Sequence, residues 1–129
     1  HLANGSVVLR NAWIDALLDT GEAESAWPII EDELASSRLK SSWLLRRARA
    51  FLIEGKRDQA NRDLTACVTE LDGRIHPRRP DVTLVADRGL AKALMGDAAA
   101  ARADLARARK AGADRWVTAA LERALEGDG

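Results

Sequence analysis

Three stretches of this chain share one spacing. "GEAESAWPII", "GKRDQANRDL" and "GDAAAARADL" each open on a glycine (Gly21, Gly55, Gly96), place an alanine five residues on (Ala26, Ala60, Ala101), and put an aliphatic residue four beyond it (Ile30, Leu64, Leu105). Gly21 and Gly55 lie 34 residues apart, and Gly55 and Gly96 lie 41 apart; the extra seven residues are "GRIHPRR", Gly73–Arg79. Self-similarity at such a period marks an array of like units, none able to bury its apolar face alone. The three residue types fit one geometry. A glycine ends a helix because it enters the left-handed region without a Cβ clash. An alanine five residues later lets a second helix cross close to the first. The aliphatic residue one turn further lies on the same face and fills the core.

Each glycine sits between two amphipathic runs, as in "SSWLLRRARAFLIE" before Gly55 and "KRDQANRDLTACVTEL" after it. Two helices joined by so short a turn fold back as an antiparallel hairpin. Ser6, Ser41 or Ser42, and Asp81 are the candidate N-caps for the first helix of each pair. Pro28 falls within the second run of the first unit, where it should kink or weaken the helix. The chain is rich in alanine, leucine and arginine, which favour helices. It has no tyrosine and one phenylalanine, and no run alternates as a half-buried strand does. The fold class is all-α. At 129 residues it has the length of one domain.

The pattern resembles the tetratricopeptide repeat family, whose unit is a 34-residue helix–turn–helix. Leu44, Ala48, Phe51, Gly55, Ala60 and Leu64 carry the resemblance in the second unit; Val85, Gly89, Gly96, Ala101 and Leu105 in the third; Leu17, Gly21, Ala26 and Ile30 in the first. Departures are Arg10, Ile14 where the family prefers a small residue, Lys92 where it prefers an aromatic, and Arg38, Asp72 and Ala113 where it closes with proline. The resemblance implies a right-handed α-solenoid of three hairpins spanning 7–40, 41–74 and 82–113, with an insertion loop at 73–80. Residues 1–6, "HLANGS", read as a tag or disordered start. "GADRWVTAALERALEG" reads as an amphipathic helix within 114–129 that caps the last unit, which has no neighbour to cover it.

Chemistry-bearing motifs are scarce. The histidines, His1 and His76, lack a second metal-type ligand at useful spacing. Cys67 is the one cysteine; it falls on the buried face of its helix and reads as a structural thiol. There is no phosphate-cradling glycine loop and no nucleophile elbow. Trp13, Trp27, Trp43 and Trp116 read as fillers between hairpins, with Trp43 and Trp116, each in a first helical turn, the least buried. The expectation is a non-enzymatic chain without cofactor or metal. Twenty acidic and twenty basic residues cancel, so the chain lacks the broad positive field that nonspecific nucleic-acid binding needs. No stretch approaches the roughly 20 apolar residues of a membrane-spanning helix.

The resemblance implies a concave groove lined by the first helix of each hairpin, holding a protein or peptide partner. Its candidate residues are Asn11, Asp15, Leu18, Leu45, Arg46, Arg49, Leu52, Asp87 and Leu90. The leucines would form an apolar floor and Arg46 and Arg49 a basic centre, suited to an acidic–apolar peptide. The alternative is that Asp15 and Asp87 neutralise those arginines across the groove. The terminal-carboxylate clamp known in the family does not fit, because only Asn11 and Arg49 match its positions. A second candidate is the loop "GRIHPRRPD", where Arg74, His76, Arg78 and Arg79 could hold a phosphate or acidic partner between Pro77 and Pro80. Charge is uneven, with nine basic and five acidic residues in 41–80 against three and seven in 1–40. The expectation is a scaffold module of a longer chain; the alternative is an array whose faces serve self-association.

Overall fold

A computed structural model describes residues 2–127, with side chains from Val7 onward. Seven helices follow in order: α1 (Leu2–Asp19), α2 (Trp27–Ser36), α3 (Ser41–Ile53), α4 (Arg57–Arg74), α5 (Val82–Leu94), α6 (Ala98–Lys110) and α7 (Arg115–Gly127). No strand occurs among the described residues, and the chain is all-α.

The repeated glycines do what their spacing requires. Gly21, Gly55 and Gly96 have φ of 81°, 75° and 91°, and Gly112, before α7, has 89°. At each, the glycine N–H donates three residues back and the next N–H five back, as in Gly55 to Leu52 O and Lys56 to Phe51 O. That pair of bonds is the Schellman closure, which satisfies carbonyls the helix end leaves free. After Gly55 and Gly96 a new helix starts two residues on, so α3 packs on α4 and α5 on α6 as antiparallel hairpins. Ala60 and Ala101 are fully buried, as are Ala48 of α3 and Leu64, one turn beyond Ala60 on α4. The tightest approach is at Gly89. A Cβ there would lie 2.7 Å from Leu121 Cδ2 and 3.0 Å from the Asp104 Cβ.

The first unit departs from the other two. Pro28 lacks an N–H and cannot continue a helix from the turn, so α2 begins only at Trp27, with proline in its first turn, where no donor is needed. The proline therefore delays the helix rather than kinking it. Among the described residues α1 and α2 make no close backbone approach of the kind α3 and α4 make; each lies close to α3, and the two meet through side chains, with Arg10 pairing Glu33 at 2.8 Å. Ile14, bulky where Ala48 and Gly89 are small, fills the space between them and is fully buried with Ala26 and Ile30.

Two of the expected N-caps are absent. α1 starts at Leu2, which places Ser6 within the helix and residues 2–6 in its first turns. Neither Ser41 nor Ser42 caps α3. Glu70 of α4 does so across the hairpin, accepting the Lys40 N–H at 3.0 Å and the Ser41 N–H at 2.8 Å. Burial pushes the Glu70 carboxyl up, but these two N–H groups, the Ser41 hydroxyl and Arg74 outweigh it and hold it below the ordinary value. Asp81 caps α5 as expected, accepting from Thr83 N and Leu84 N. The insertion is shorter than its sequence span, since Gly73 and Arg74 complete α4 and only the residues from Ile75 on form loop.

Charged clamps fasten successive hairpins. Arg47 donates to both carboxylate oxygens of buried Asp63 at 2.8 Å each and reaches Glu31 of α2 at 3.6 Å. One unit on, Arg88 donates to both oxygens of Asp104 at 3.0 and 2.8 Å and to Asp72 of α4 at 2.9 Å. In both cases the arginine sits 16 residues after one acid and 16 before the other. Asp104 is fully buried and also meets Lys92 and Arg107. Burial alone would push its carboxyl up, but Arg88 and Lys92 hold it below the ordinary value.

Candidate functional site

The first helices of the units and the terminal helix converge on one groove of about 320 Å³. Asp15 and Asp19 enter it from α1; Ser42, Leu45, Arg46 and Arg49 from α3; Asp87 and Leu90 from α5; Trp116, Ala119, Ala120 and Arg123 from α7. These helices are amphipathic with residues at i, i+3, i+4 and i+7 on a shared face, so each contributes one row.

Most of the groove's charge is already paired. Arg46 grips Asp15 with its Nε at 2.9 Å and an Nη at 3.3 Å. Its guanidinium also lies 4.5 Å from the centre of the Trp43 ring, a cation–π contact that fixes its orientation. Arg49 reaches Asp15 at 3.4 Å and bonds Asp19. Arg123, largely in water, comes no nearer to Asp19 than 3.9 Å. Asp87 stands apart: no hydrogen bond to its carboxylate and no ion pair occurs among the described residues. Burial pushes its carboxyl up to about 6; the Arg46 charge opposes this, and the Asp15 and Asp81 charges add to it.

Of the candidates read from sequence, Asp15, Leu45, Arg46, Arg49, Asp87 and Leu90 meet in this groove, with Leu45 and Leu90 as its floor. Leu18 is buried in the core of the first unit, and Leu52 packs against the central core. Asn11 accepts from neighbouring Arg10 and is not among the lining residues. The row from α7 lies outside the residues predicted for the groove, because its sequence predicts a capping helix. Its signal was present: the spacing of Thr83, Ala86, Asp87 and Leu90 recurs 33 residues later as Trp116, Ala119, Ala120 and Arg123.

The loop candidates do not come together. Arg74, on the last turn of α4, donates to the Ser41 hydroxyl at 2.8 Å. His76 Nδ1 accepts the backbone N–H groups of Arg78 and Arg79, each at 3.1 Å, and so shapes the turn. The hollow beneath the loop, about 460 Å³, is lined by Ile75, His76, Pro77, Pro80, Arg88, Lys92 and Arg107. Its cations belong to the Asp104 clamp rather than to the loop.

The tryptophans divide unexpectedly. Trp43 is buried and Trp116 is 76% exposed; Trp13, expected in a gap, is 49% exposed. Trp27 meets Phe51 edge-on at 4.9 Å and donates to Glu54 at 2.7 Å, joining the first unit to the second. Cys67 is fully buried, and burial together with the nearby Asp87, Glu70 and Asp63 charges pushes its thiol up to about 12. Among the described residues no three His, Cys, Asp or Glu side chains gather as metal ligands, and no helix is long and apolar enough to cross a membrane. Comparison of the chain with protein-family models, curated proteins and solved structures gives no match in any of the three.

Proposed function

We propose that this chain is a divergent tetratricopeptide-like array, a right-handed superhelix of helical units that works as a non-enzymatic scaffold and takes a peptide or helix in its concave groove. The observation that carries the reading is the convergence of α1, α3, α5 and α7 on one groove, while α2, α4 and α6 stay out of it. In a helical solenoid the first helices line the inner face and the second helices the outer. An apolar floor with polar walls is the surface on which such arrays hold extended or helical segments. Cys67, the one thiol, is fully buried with its thiol pushed up to about 12, which does not suit a nucleophile.

Ala119 lines the groove without joining the central core, so Ala119→Phe blocks it with little damage to the fold. An immobilised peptide library probed with wild type and Ala119→Phe tests the reading. The expected result is a set of peptides held by wild type and lost by the variant at unchanged helicity. Peptides retained equally by both would move binding to another face.

A second reading, self-association, is favoured by α1, whose Val8, Leu9 and Trp13 are 67%, 72% and 49% exposed. A solution mass that rises with protein concentration would distinguish it.

A further inference from the structure

Resting on the groove reading above, we infer that the segment this groove accepts is basic and apolar rather than acidic: a lysine or arginine side chain set against Asp87 and flanked by aliphatic residues on Leu45 and Leu90.

The argument is one of charge left over. The arginines that suggested an acidic ligand are already engaged: Arg46 by both oxygens of Asp15, and Arg49 by Asp15 and Asp19. An incoming carboxylate would have to displace the bidentate Arg46–Asp15 pair and leave Asp15 with Arg49 alone at 3.4 Å, a replacement with no net gain. Asp87 is the groove carboxylate for which no hydrogen bond or ion pair occurs among the described residues, and it is half-buried. A half-buried carboxylate with no cation in contact is less favourable than a paired one, so binding a cation against it relieves an existing penalty. The neighbouring surface suits the rest of such a side chain. Trp116 lines the groove and is 76% exposed, an indole free to stack on a cation or on the methylene stem of lysine or arginine. Ala119 and Ala120 keep the α7 wall low enough for a chain to lie against it. The upward displacement of the Asp87 proton affinity by burial agrees with the same picture.

The test uses three fluorescein-labelled peptides of one length that alternate leucine with lysine, glutamine or glutamate, titrated into the protein by anisotropy at pH 7.5 and fixed moderate salt. The lysine–leucine peptide should bind best, and Asp87→Asn should weaken it about tenfold or more while leaving the glutamine–leucine peptide unchanged. Trp116→Ala should weaken the lysine peptide without altering helicity. Equal affinity of the lysine peptide for wild type and Asp87→Asn overturns the inference. So does tighter binding of the glutamate or glutamine peptide, which would leave the groove reading standing provided Ala119→Phe abolishes it. Binding of none of the three overturns this inference, and the library experiment then decides the groove reading separately.

Discussion

A carboxyl that titrates near 6 in the folded chain and near 3.8 when unfolded binds more protons folded than unfolded across that interval. Stability then falls as pH rises through it, since the slope follows the protons bound by the unfolded state less those bound by the native one. Asp87 is such a group, and above pH 6 its ionised form lowers stability by up to roughly 3 kcal/mol at 1.36 kcal/mol per pKa unit. Burial is the main cause; Arg46 on α3 and Arg74 on α4 oppose it, Asp15 on α1 and Asp81 before α5 add to it, and Arg123 of α7 lines the same groove. Asp87→Asn removes the titration and leaves the others in place. Urea denaturation should show the variant more stable than wild type at pH 8, by no more than about that figure, and the two close to equal at pH 4. A variant less stable at pH 8 would mean that Asp87 has a favourable partner in solution. Gain of stability with loss of ligand is the exchange expected of a binding residue held in an unfavourable place.

The clamps Glu31–Arg47–Asp63 and Asp72–Arg88–Asp104 tie each hairpin to the one before it, and the second is the more consequential. Removing the fully buried Asp104 leaves Arg88, Lys92 and Arg107 facing one another without their shared anion. Stripping one partner from a buried pair costs about 3–5 kcal/mol, so Asp104→Ala should lower the denaturation midpoint severely. Arg107→Ala, whose side chain is 54% exposed, should cost about 1 kcal/mol or less in the same assay. Parity of the two would show that the network acts as a surface cluster. None of this was legible from the sequence, because a spacing of 16 is no period within a helix and acquires meaning only when hairpins are closed. The Glu70 cap on α3 escaped for the same reason: donor and acceptor lie 29 and 30 residues apart. The glycine turns and the Asp81 cap were legible because their chemistry spans a few residues. Pro28 was legible as a disruption, but whether a proline kinks a helix or starts it depends on whether the turn before it supplies the first residues. The groove was legible in three of its four rows; its paired charges were not, since the Arg46–Asp15 bond joins α3 to α1.

Across the whole molecule the units are unequal, and a one-dimensional array is only as stable as each unit's own core and its contacts with neighbours. The central core runs through α3, α4, α5, α6 and α7 in one cluster, from Leu45 and Leu64 to Leu105, Leu121 and Leu125. The first unit has a separate core around Ile14, Ala26 and Ile30, and α2 is only 10 residues long. Beyond its own unit α1 packs on α3, with Asp19 at 3.9 Å from Arg123 of α7, and it leaves Val8, Leu9 and Trp13 facing outward. At the other end α7 lays Leu121 and Leu125 onto the central core, so that end is closed. Opening should therefore begin at α1 and spread inward, since local free energies follow buried apolar contact. Hydrogen exchange should show amides of the second half of α1, Asn11–Asp19, exchanging at least about tenfold faster than those of α4 and α5, a gap of about 1.4 kcal/mol. Trp13→Ala should leave this order unchanged, because a half-exposed ring contributes little, whereas Ile14→Ala should widen the gap by about 2 kcal/mol or more through the cavity it leaves. Uniform protection from α1 to α7 would show one cooperative unit. The groove would then be as rigid at its α1 wall as at its α5 wall, and a ligand would meet Asp15, Asp19 and Asp87 held with equal firmness.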